Sequence, residues 1–289
     1  MILQTLVSGL TIGCIYGLAA LGLVLIYKTT DVVNFAQGEM AMFTTFISYI
    51  FLNSYGLPYY LSFILSLLFA AVLGIVAHQG IMRPVQKASL LNQIVLTLAL
   101  YMFLRGVAGI LWGHIPVGYP EALPGEPFQL GQVFIKPNEL FVLGVSLLLM
   151  VVFYVIFHYT KIGLAMRAAS QDVSTSQLMG VRVLGIFTWA WAIGTVLGGV
   201  AGMLIAPITY LDPNMMQEVS ILAFAAAVLG GFVSLPGAVL GGLFIGIFET
   251  IVATYISTEL KTPLVFLLII LILYVRPNGL FGVEYTRKV

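Results

Sequence analysis

Hydrophobic positions in this chain do not alternate with polar ones; they run together. Apolar stretches cover residues 3–27, 39–53, 60–80, 91–113, 138–159, 184–208, 218–235, 237–256 and 263–275, separated by polar breaks. A helix needs ~20 largely apolar residues to cross the hydrocarbon core of a bilayer. Only helices and closed barrels satisfy every backbone polar group there. The pattern predicts an all-α, polytopic domain over residues 1–289 with eight or nine membrane elements. The second and last runs are short. Pro236 either separates two spans or interrupts a broken helix that re-enters the membrane. The first run lacks a basic leader, is longer than a signal-peptide core and flows into further spans, so it is expected to stay as a span.

The polar breaks orient the chain. Lys28, Arg83, Lys87, Lys161, Arg167, Arg182, Arg276, Arg287 and Lys288 fall on one side if the runs alternate. The other side carries Glu121, Glu126, Glu139, Asp212, Glu218 and Glu259 against Lys136 and Lys261. Lys and Arg mark the cytoplasmic side, which puts the N-terminus outside and the C-terminus inside.

Two breaks are long. Residues 114–137 hold Pro116, Pro120, Pro124, Pro127 and Pro137, a density that blocks regular helix and predicts an external surface loop. Residues 160–183 lie inside. There Asp172 is a good N-cap and Gly180 a good helix stop, with about two turns between them. Two turns are too short for independent stability, so this helix is expected to rest on a partner.

Composition sharpens the class. Hydrophobic residues make up 61% of the 289 and charged residues 8%, against ~45–50% and ~25% in soluble domains. The surplus excludes a soluble enzyme, and the net charge of +1 gives no attraction to nucleic acid. The lone Cys14 excludes a disulfide framework or a multi-cysteine metal site. Most of the thirty glycines sit within the apolar runs. Gly9, Gly13 and Gly17 form one row, Gly194, Gly198 and Gly202 another, and Gly237, Gly241, Gly242 and Gly246 a third. Small residues at i and i+4 let helix backbones approach closely. The first and sixth runs each end in a polar break followed by an acid, Asn34–Glu39 and Asp212–Glu218, which resembles an inverted repeat.

Polar groups at membrane depth are the candidates for function. Asn34, Gln37 and Glu39, with Asp212 and Glu218, are the candidate translocation path, where broken helices expose backbone groups. Glu249, inside a run, is expected to hold a structural hydrogen bond, and Arg105 to snorkel outward. His78, His114 and His158 read as interfacial. Asp31, Glu39 and Glu249 are dispersed and lack an evident Lys or His partner. No phosphate-binding loop, dinucleotide fingerprint, zinc-protease motif or nucleophile elbow occurs, so no catalytic residue, metal or cofactor is expected.

Several segments together resemble one family. They are Asn34-Phe35-Ala36-Gln37-Gly38-Glu39; Arg83-Pro84-Val85; Gly163 to Arg167-Ala168, with Asp172 and Met179-Gly180-Val181; Gly230-Gly231; Ser234 to Ala238; Gly241-Gly242; and Arg276 to Gly282. In this order they resemble the H-type permease subunits of branched-chain amino acid ATP-binding-cassette importers, over the length of the chain. Gln37 stands where the family often has His, and Ser176 where Ala is common. The resemblance implies a second related permease, two cytoplasmic ATP-binding subunits and an extracytoplasmic substrate-binding protein as partners, in the inner membrane and in contact with its lipid. It implies that Gly163, Arg167, Asp172, Ser176, Met179 and Gly180 couple to the ATPases. Substrates of the family include branched-chain and other amino acids, urea and short amides. A self-sufficient secondary transporter is the other class the residues leave open.

Overall fold

The computed structural model describes residues 2–130 and 133–282; Arg287 and Lys288, placed above on the basic face, lie outside the described residues. Each apolar run forms a helix. In chain order these are α1 (Ile2–Thr30), α2 (Gln37–Tyr49), α3 (Tyr59–Val76), α4 (Leu90–Trp112) and α5 (Pro137–Tyr159). Then come α6 (Lys161–Gln171), α7 (Val173–Leu178), α8 (Val183–Thr209), α9 (Met216–Gly230), α10 (Leu235–Tyr255) and α11 (Lys261–Val275). Short π-helical turns prolong α2 to Ser54 and α3 to Met82. Among the described residues, six helices are long and apolar enough to cross a membrane: α1, α3, α4, α5, α8 and α10; α9 and α11 are shorter apolar helices. Pro236 does not interrupt a helix. It occupies the first turn of α10, where a missing N–H removes no intrahelical bond, and the Ser234 hydroxyl caps Gly237 N at 3.1 Å.

Burial separates the helices into an inner and an outer set. The apolar window of α1 is 89% buried and that of α4 only 22%. Ile110 and Met102 on α4 and Tyr274 on α11 lie bare. In water such side chains would be driven inward; a bilayer removes that drive, because lipid is as apolar as Leu. The inner helices pack backbone to backbone through the predicted glycine rows. Gly9, Gly13 and Gly17 of α1 face Ile247, Leu243 and Val239 of α10 in antiparallel sequence. Gly74 of α3 sits against Trp191 and Ala192 of α8, and Gly199 of α8 against Ala70 of α3, again antiparallel.

These contacts carry the internal repeat. As α1 packs on α9 and α10, so α8 packs on α2 and α3, and α1 and α8 cross at the centre. Each central helix ends in a residue of left-handed backbone: Asp31, φ 56°, and Tyr210, φ 65°, the positive-φ non-glycine residues among those described. Each is followed by a break of equal length, residues 31–36 and 210–215, and a short helix. The acids that follow, Glu39 and Glu218, both stand third in their helices.

The proline-rich external segment is ordered by long-range contacts. It contains an antiparallel hairpin, β1 (Phe128–Leu130) with β2 (Val133–Ile135). Gln4 grips Phe134 N and O at 2.8 Å each. Val117 pairs with Leu211 through N–H···O bonds of 3.0 and 2.8 Å, tying the loop to the break before α9. The α6 helix, by contrast, was not evident in the residue pattern of 160–183. His78 is buried among side chains: its Nδ1 lies 2.9 Å from Thr188 Oγ1, beside the Trp191 and Phe187 rings.

Candidate translocation cavity

The starts of α2 and α9, which follow the two breaks, meet inside the bundle. Asn34 Oδ1 accepts from Ala36 N at 3.1 Å and so closes the turn that starts α2. Gln37, the first residue of α2, reaches between the crossing helices. Its Nε2 donates to Ala19 O of α1 at 3.2 Å and Gly194 O of α8 at 3.4 Å. Gly22 and Gly194 make room for this: a Cβ on Gly22 would lie 2.7 Å from the Gly194 carbonyl oxygen. Gly38 brings the start of α2 directly against Met216 and Ser220 at the start of α9.

Between these helix starts lies a cavity of about 320 Å³. Asn34, Phe35, Gln37, Gly38 and Ala41 line it from the first break and α2; Met216, Gln217, Ser220, Ile221 and Phe224 from α9. Leu98 and Tyr101 of α4 and Phe266 of α11 complete the wall with residues of α1 and α8. Phe35 and Phe224 stack at 6.2 Å between centroids, one from each half of the repeat. The wall is apolar with a few amide and hydroxyl groups and no ionised side chain. Two helix N-termini face the space, and their macrodipoles favour a negative group there.

Of the predicted path residues, Asn34 and Gln37 line this cavity and the other three do not. Glu39 is buried but turned away from it. Asp212 holds its own turn through Asn214 N. Glu218 pairs with Lys261 Nζ at 2.8 Å and accepts from Thr262 Oγ1 at 3.0 Å. Glu249 holds the structural hydrogen bond expected of it, accepting from Tyr16 OH at 2.7 Å, and also pairs with Lys261 Nζ at 2.9 Å, a partner the sequence did not make evident. Lys261 thus ties α9, α10 and α11 together. Arg105 does not snorkel freely; Nη1 donates to Tyr101 OH at 2.6 Å and Nη2 to Asn214 Oδ1. Tyr101, Gln217, Ser220 and Phe266 were missed because nothing in an apolar run marks which face meets another helix.

The segment predicted to couple forms its own small unit. Asp172 Oδ1 accepts from Thr175 N at 2.9 Å, capping α7, and that hydrogen bond holds the carboxyl below the usual range. Gly180 ends the helix at φ 85° and donates to Gln177 O at 3.0 Å. Gly163 packs onto the last carbonyls of α5 at Phe157, and Arg167 Nη2 donates to His158 O at 3.1 Å. Ser176 faces inward, whereas Leu178 and Met179 are 89% and 81% exposed.

Fold and cavity define a multi-pass helical membrane protein whose two halves enclose a cavity between the starts of α2 and α9. The family model for the branched-chain amino acid transport system permease component matches residues 5–274. The chain belongs to this family. It is 30% identical over 301 residues to the high-affinity branched-chain amino acid transport system permease protein BraD of Pseudomonas aeruginosa, covering 99% of this chain and 98% of that one. It is 28% identical over 301 residues to LivH of Escherichia coli, a permease of the same description, with 99% and 97% covered. It is also 31% identical over 240 residues to a probable branched-chain amino acid transport permease protein of Methanocaldococcus jannaschii, with 79% and 74% covered.

Proposed function

We propose that this chain is the membrane-spanning subunit of an ATP-driven importer for branched-chain or other small amino acids, which pass through the cavity between α2 and α9. The observation that carries the reading is that cavity: aliphatic walls suited to a neutral side chain, faced by two helix N-termini suited to a carboxylate. Urea and short amides lack the carboxylate and gain nothing from the helix ends.

The chain holds no phosphate-binding loop. On this reading, ATP is hydrolysed by two cytoplasmic subunits docked at α6 and α7, and a second, related permease completes the membrane unit. A binding protein delivers solute at the face of the 114–137 loop, and the C-terminus is cytoplasmic. The test is reconstitution in liposomes. The chain alone should move no leucine under a proton or sodium gradient, and adding the partners with ATP should start uptake. Gradient-driven uptake by the single chain would replace this reading with a secondary transporter.

A further inference from the structure

A second hollow lies on the outside of the bundle, away from the cavity just described. It has a volume of about 370 Å³ and runs between α5, α1 and α10. Its walls are apolar: Leu21, Met150, Phe153, Phe157, Pro236 and Val239 are representative. Along α5 it extends from Leu147 to His158, about 16 Å at 1.5 Å per residue. That is about half the ~30 Å hydrocarbon thickness of a bilayer, or one leaflet.

One end of this groove carries uncompensated positive charge. The Phe157 ring has Lys28 Nζ 5.4 Å from its centroid and the Arg167 guanidinium carbon 5.9 Å from it. Neither cation forms an ion pair among the described residues. Arg167 Nε is buried without a hydrogen-bond partner. Two cations held at one ring repel each other unless an anion lies between them. The same end belongs to the face rich in Lys and Arg, where the cytoplasmic leaflet supplies anionic phospholipid.

We infer that this groove binds one anionic phospholipid, with an acyl chain along α5 and the phosphate between Lys28 and Arg167. The site does not depend on the transport reading, because it uses none of the cavity residues. It places a lipid against the junction of α5 and α6, where the coupling segment leaves the membrane.

Native mass spectrometry of the detergent-purified chain, titrated with phosphatidylglycerol or phosphatidylcholine of identical acyl chains, tests this. The unmodified chain should retain one phosphatidylglycerol with about thirtyfold preference, from roughly two cationic contacts. Lys28→Gln with Arg167→Gln should bring the preference to about parity, and Lys28→Arg should keep it. Val151→Trp fills the groove from its exposed side and should lower phosphatidylglycerol occupancy without changing the thermal midpoint. Equal retention of both lipids would overturn the inference. So would full competition by glycerol phosphate, which shows a headgroup site alone, or copy-to-copy disulfides at Val151→Cys in native membranes, which show that protein covers the groove.

Discussion

Gly13 shows how much of the packing rests on an absent methyl group. A Cβ there would lie 2.8 Å from Leu243 Cα and 3.0 Å from Leu243 O, both backbone atoms that cannot yield without parting α1 from α10. Gly13→Leu should cost about 3 kcal/mol or more, the upper range for overpacking, read as a lowered thermal midpoint in detergent. Gly144 on α5 has nothing within 4 Å of its would-be Cβ. Gly144→Ala should be neutral or stabilise by about 0.5–1 kcal/mol, because Ala restricts the helix backbone better. Equal losses at the two positions would mean that close approach does not hold α1 to α10. Glu249 makes a second residue-scale case. Lys261→Met strands a buried carboxylate and should destabilise by about 3–5 kcal/mol, while adding Glu249→Gln should recover most of that loss. A double-mutant cycle on thermal stability measures the recovery; additive losses would argue against a coupled pair.

At the scale of the element, α7 holds together through its two ends. Asp172 satisfies a first-turn N–H, and Gly180 takes a backbone conformation that a side chain resists. Gly180→Val should strain that end by about 1–2 kcal/mol, leaving membrane insertion intact while ATP hydrolysis proceeds without uptake. Normal coupling of the two would remove α7 from the transmission route. Because Ser176 points inward, cross-links to an ATPase should form from Leu178 and Met179, the exposed apolar pair. The Asp172 carboxyl is held low by the Thr175 backbone N–H. Its capping contribution is therefore fully present above the unfolded value, ~3.9, and lost as pH falls through the lower folded value. Carboxyl chemical shifts followed by NMR should place its midpoint below that of a free Asp.

For the molecule as a whole, the exchanged packing of α1 to α4 and α8 to α11 sets two broken helices end to end around one space. Transport through it should therefore depend on side chains from both halves. Gln217→Trp should cut uptake by the reconstituted complex at least about tenfold, because Gln217 lines the cavity from an exposed position at the start of α9 and added bulk there fills the space rather than the helix contact. Cysteines at Asn34 and Gln217, in a Cys14→Ala background, should react with small aqueous thiol reagents at rates that change with nucleotide state. Cys14 is the one cysteine of the sequence, so that background carries no other thiol. Uniform protection in every state would make the cavity a closed structural void.

Several features were legible in the residues alone, and they share one physical origin: each is decided locally. Apolar runs specify membrane helices because a bilayer punishes any unpaired backbone group. Pro236, Asp172 and Gly180 mark helix ends through φ preferences and single hydrogen bonds. The glycine rows announce close contacts but do not name the partner, and Gly13 alone does not reveal Leu243. What only the tertiary structure decided is which faces meet. It paired Glu249 with Lys261, buried His78 against Trp191, turned Glu39 and Glu218 from the cavity, and brought Gln217 and Tyr101 to it. In lipid, an apolar helix face carries the same residues whether it meets acyl chains or another helix. Sequence polarity therefore stops discriminating at that point, and shape complementarity between backbones makes the choice.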